Sequence, residues 1–64
     1  MKHSQRGDHV LVRIADEFYF GTVVYVSRYC PFSNRILRDG SIVGAEVPEL
    51  PNHQRVYFFE PFEP

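Results

Sequence analysis

The chain has no tryptophan, a single cysteine and almost no net charge: seven Lys and Arg against eight Asp and Glu leave −1 over 64 residues. Each scarcity excludes something. One cysteine, Cys30, cannot form an internal disulfide, so this is not a disulfide scaffold, and a free thiol fits a reducing compartment. A near-neutral chain creates no field that draws nucleic acid or anionic lipid, and only a local basic patch could serve that role. No apolar run approaches the roughly 20 residues that cross a bilayer. The opening Met1-Lys2-His3-Ser4-Gln5-Arg6 also lacks the apolar core of a signal peptide. These features predict a soluble, cytoplasmic protein with no membrane partner.

What the chain does hold is aromatic: four Tyr and six Phe. A chain this short buries only about 60% of its unfolded surface, so it has room for one core and needs bulky side chains to fill it. Apolar residues at 44% and charged residues at 23% match ordinary globular usage, so the chain is expected to fold rather than stay disordered.

β-Branched and aromatic residues cluster in short runs separated by Gly, Pro, Asn and Asp, which predicts several strands joined by turns. Gly7-Asp8 opens the first run, in which Val10, Val12 and Ile14 share one face. A polar Ala15-Asp16-Glu17 connection leads to the longest extended stretch, Phe18 to Tyr29. Gly21 and the adjacent pair Val23-Val24 break its alternation, so a bulge or bend is expected near Gly21. Cys30 to Asn34 reads as a loop, and Arg35 to Arg38 as a third strand. Asp39-Gly40 has the composition of a two-residue hairpin turn into a strand from Ser41 to Val47. Pro48 to Asn52 interrupts pairing with one 3-10 turn, and Gln54 to Phe59 supplies the last strand. Five strands in so short a chain, the second long and bent, predict an all-β fold: a single small SH3-like barrel over 7–60, with flexible termini at 1–6 and 61–64. An OB-like barrel needs more chain and often a helix, for which there is no 3.6-residue periodicity.

The run Gly7-Asp8-His9-Val10-Leu11-Val12-Arg13-Ile14, then Asp16, then Tyr19-Phe20-Gly21-Thr22-Val23 and Val26, resembles the opening of a Tudor domain, most closely those of Polycomb-like proteins. The resemblance spans about residues 7–26 and implies a Tudor-like, SH3-like barrel. Members of that family bind methylated lysine in an aromatic cage, and Tyr19 matches one cage tyrosine. Where the family carries its cage tryptophan this chain has Ile14, and Leu37 meets a further cage aromatic position. The resemblance therefore implies the barrel more fully than the cage.

Two groups of side chains are candidate sites. Tyr19, Tyr25 and Tyr29 fall on one face of the second strand if its pleat is regular, and Phe32 lies in the following loop. An exposed aromatic stripe beside a loop suits the capture of a protein or peptide. Arg28, Arg35 and Arg38 flank that loop and Arg55 opens the last strand, a set that suits nucleic acid if bases stack on the neighbouring rings. His3, His9, His53 and Cys30 lack the short spacing of a zinc site, so no metal and no cofactor is expected. No nucleophile elbow, phosphate-binding glycine loop or carboxylate pair is legible, and the expectation is a binding or adaptor domain, not an enzyme. A protein or peptide is the favoured partner, nucleic acid the alternative, and self-association through aromatic surface and open strand edges a further expectation.

Overall fold

The structure, a computed structural model, describes residues 3–62. Strands β1 (His9–Ile14) and β2 (Glu17–Ser27) form an antiparallel hairpin in which Ile14 faces Glu17. That register leaves Ala15 and Asp16 as a two-residue turn, with φ of 49° and 68°. Left-handed conformation at both central positions matches the right-handed twist of the strands it joins.

Two further strands extend the sheet: β5 (Gly40–Glu46) pairs with β2, and β6 (Arg55–Pro61) pairs with β5, in the order β1-β2-β5-β6. Between β2 and β5 a separate small hairpin is made of β3 (Tyr29–Cys30) and β4 (Arg35–Ile36). The expected 3-10 turn is present at Pro51–His53, before β6. The molecule is nearly all strand, and its antiparallel sheet curls into a half-barrel, as the all-β prediction required. The expected third strand, Arg35 to Arg38, is present only as β4 over Arg35–Ile36, and it pairs with the additional strand β3.

The inner face of the curl collects Val12, Ala45 and Val47, with Val10, Ile14, Tyr19, Leu50, Val56 and Phe58 packed around them. Strand β5 is the most deeply covered element, buried from Gly40 to Ala45 on both of its faces. Its small side chains explain how. A Cβ on Gly44 would stand 2.7 Å from the Tyr57 ring, and one on Gly40 would press into the Phe59 ring and stand 2.5 Å from the Glu60 carbonyl oxygen. Glycine is present at both because rings on β6 occupy the space a side chain would need.

Three sequence expectations change. The bulge expected near Gly21 falls three residues further on, at Val24, which has no partner between the Val23–Ala45 and Tyr25–Gly44 pairs. One extra residue reverses the phase of the pleat. Tyr19 thus packs with the inner core while Tyr25 points outward, and the two do not share a face. Second, Asp39-Gly40 is not a hairpin turn. Gly40 already belongs to β5, opposite Pro61, and Gly7 is the one glycine with positive φ among the described residues. Third, the long strand ends at Ser27, and Tyr29 pairs with Ile36 of β4 instead.

The ends expected to be loose have partners. The Ser4 N–H and hydroxyl donate to the two carboxylate oxygens of Glu60, at 2.9 and 2.7 Å. Pro61 sits in β6, and the Phe62 N–H donates to the Asp39 carbonyl at 2.7 Å. Residues 1–2 and 63–64 of the predicted flexible termini lie outside the described residues. No helix among the described residues is long and apolar enough to cross a membrane.

Candidate functional site: an aromatic outer face and a cationic hairpin

Strand alternation makes the outer layer. On β6, Val56 and Phe58 turn inward, so Tyr57 and Phe59 turn out, over Gly44 and Ile42 of β5. On β2 the phase reversal at Val24 sends Tyr25 out to the same place, opposite Gly44. The rings of Tyr25 and Tyr57 meet edge to face at 5.9 Å and 79°. Such pairs contribute ~0.5–1.5 kcal/mol beyond the area they bury.

The β3–β4 hairpin folds back over this layer. Its base is fixed by reciprocal bonds: the Leu37 N–H donates to the Arg28 carbonyl at 2.7 Å, and the Arg28 Nε–H donates to the Leu37 carbonyl at 3.0 Å. The tip, Pro31 to Asn34, closes with the Asn34 N–H donating to the Cys30 carbonyl at 2.8 Å, and Asn34 takes the left-handed φ of 57°. Asparagine tolerates that conformation better than most residues. Tyr25 and Tyr29 strap the hairpin down. The Tyr25 hydroxyl donates to the Tyr29 carbonyl at 3.2 Å, the Tyr29 N–H donates to Ser27 Oγ at 3.0 Å, and the Tyr29 hydroxyl donates to Asn34 Oδ1. The tip is thereby placed so that Phe32 meets the Tyr57 ring edge to face at 5.3 Å and 74°.

The result is a row of rings, Tyr25–Tyr57–Phe32, lying outside the sheet rather than in its core. Phe32 remains 70% exposed and Ile36, on β4 of the same hairpin, 62% exposed. Of the four predicted aromatic site residues, Tyr25, Tyr29 and Phe32 come together and Tyr19 does not. Tyr57, the residue that joins Tyr25 to Phe32, was not among them. A second exposed apolar group, Leu11, Phe18 and Phe20, lies on the outer side of the β1–β2 hairpin, where Leu11 faces Phe20.

The four arginines divide. Arg28 is committed to the Leu37 carbonyl and stands 5.5 Å from the centre of the Phe62 ring. Arg55 donates to the Tyr57 hydroxyl at 3.2 Å, and that hydroxyl, then Glu46, hold its pKa above the ordinary arginine value. Arg35 and Arg38 are exposed and, among the described residues, have no carboxylate within ion-pair distance; the one such pair is Arg13 with Asp16. Arg35, Ile36, Leu37, Arg38 and Asp39 line a surface depression of about 410 Å³.

Inside the hairpin the buried Cys30 thiol is pulled below its ordinary pKa, first by the Ser33 hydroxyl, then by main-chain N–H groups of Ser33 and Phe32 and the Arg35 charge, against the opposing effect of burial. Among the described residues no three His, Cys, Asp or Glu side chains gather as a metal site. Comparison of the chain with protein-family models, curated proteins and solved structures finds no significant match.

Proposed function

We propose that this chain is a non-enzymatic binding domain that captures a protein or peptide on its outer aromatic layer. The observation that carries the reading is the position of Phe32: held at the tip of a strapped hairpin, seated on Tyr57, and still largely open to solvent. Leaving a phenylalanine so exposed has a cost in water, while fixing it in place removes the entropy a partner would otherwise have to quench. Rigid aromatic anchors of this kind supply most of the binding energy of protein interfaces. Tyr25, Tyr29 and Tyr57 provide the supporting surface, and the inward Tyr19 takes no part.

A photo-crosslinking phenylalanine analogue placed at Phe32, with one at Phe20 as the comparison, tests the reading in the native cell. Discrete protein adducts from the Phe32 position, lost when Tyr57 is changed to alanine, are expected. Adducts confined to the Phe20 position, or none from either, count against it.

A further inference from the structure

Charge is distributed unevenly along this near-neutral chain. Residues 28–38 hold three arginines and no acidic residue, whereas residues 39–62 hold one arginine, Arg55, against Asp39, Glu46, Glu49 and Glu60. The positive stretch is the β3–β4 hairpin and its base, the same element that carries Phe32 and Ile36. Two of its guanidiniums, those of Arg35 and Arg38, are exposed and, among the described residues, have no ion-pair partner; both line the surface depression together with Ile36 and Leu37.

Resting on the peptide-binding reading above, we infer that the hairpin's partner is an acidic peptide segment with an apolar anchor. Its carboxylates pair with Arg35 and Arg38 while its aromatic or aliphatic side chain packs against Ile36 and Phe32. A guanidinium presents a planar fork that matches a carboxylate in two parallel hydrogen bonds, and neither fork has a partner among the described residues. Asp39, which lines the same depression, supplies the one like charge and selects against carboxylates placed at that end. Nucleic acid fits less well. Arg28 and Arg55 each direct one donor to the Leu37 carbonyl and the Tyr57 hydroxyl, so among the described residues only Arg35 and Arg38 of the four predicted arginines have the whole fork open. A polyanion longer than the depression would also meet a molecule whose total charge is −1.

The test is a fluorescence-anisotropy titration of the full chain with three labelled probes: a Glu-rich peptide with a central Phe, its Gln-for-Glu analogue, and a single-stranded oligonucleotide. The acidic peptide is expected to bind, the Gln analogue to bind at least about tenfold more weakly, and R35E/R38E to lose about tenfold or more, the loss expected when a charged interface pair is reversed. R35Q/R38Q serves as the second variant should charge reversal disturb folding, and a several-fold loss is expected there. Equal affinity for the acidic and Gln peptides, tighter binding of the oligonucleotide, or full affinity in both arginine variants would overturn the inference. If Phe32 crosslinks to a protein in the cell while the acidic peptide fails to bind, the acidic-ligand inference alone falls. If sedimentation shows a dimer that R35E/R38E dissolves, the occupant is the Glu-rich half of a second copy and the inference falls likewise.

Discussion

Replacing Gly44 by alanine should destabilise the protein through a ring that lies on the opposite strand. The new methyl would stand 2.7 Å from Cε1 and 3.0 Å from Cδ1 of Tyr57, and 3.1 Å from the Tyr25 Cβ. The Tyr57 ring is the part able to move, and moving it separates the edge-to-face contacts with Tyr25 at 5.9 Å and Phe32 at 5.3 Å. Two such contacts at ~0.5–1.5 kcal/mol each give a loss of about 2 kcal/mol. Overpacking of a close-packed site independently costs ~1–3 kcal/mol, so the two routes agree and describe the same event. For a domain of this size, a loss of about 2 kcal/mol lowers Tm by roughly 8–16 °C. Thermal unfolding followed by far-UV circular dichroism measures the loss, and the near-UV tyrosine signal should weaken in the folded state. A double-mutant cycle with Tyr57→Ala isolates the cause: without the ring, Gly44→Ala should cost less than half as much. An equal cost in both backgrounds would refute the ring-on-glycine explanation.

Three more outcomes follow from the same packing. Val43, fully buried on β5, should cost about 2–3 kcal/mol when cut to alanine, from two lost methyl groups and the cavity they leave, readable by urea denaturation. Ala15→Gly should stabilise by about 1 kcal/mol, because Ala15 holds a left-handed φ of 49° in the β1–β2 turn; an unchanged urea midpoint would show that the turn relaxes otherwise. Cys30 is an acid whose folded pKa is depressed, so its contribution to stability is present above the ordinary thiol value and disappears as pH falls through the folded one. Unfolding free energy should therefore rise from neutral to alkaline pH more steeply in wild type than in Cys30→Ser, and parallel curves would contradict the assignment.

The sheet was legible where one rule governed the residue. Val10, Val12 and Ile14 alternate, and they do face the core together. The site was less legible because it depends on register between strands distant in sequence. Val23-Val24 announces an irregularity, yet only pairing with β5 places the bulge at Val24, and that single step decides whether Tyr25 joins Tyr19 inside or Tyr57 outside. Asp39-Gly40 misleads for a physical reason: glycine is used both for positive φ and for close approach, and here a ring and a carbonyl oxygen, not the dihedral, demand it. The true two-residue turn, Ala15-Asp16, carries an alanine that no turn preference would select. Tyr57 did leave a signal: in Arg55-Val56-Tyr57-Phe58-Phe59 the period of two separates it from Val56 and Phe58. Its importance appears only once Gly44 is known to lie beneath it.

The binding surface exists only if β2 changes phase and the hairpin lays its tip on β6. Ring-to-ring nuclear Overhauser effects in solution report both at once. Contacts from Tyr57 to both Phe32 and Tyr25, together with contacts from Tyr19 to Val12 and Ala45, are the expected result. Tyr19 and Tyr25 in contact on one face, with Phe32 free of Tyr57, would contradict it.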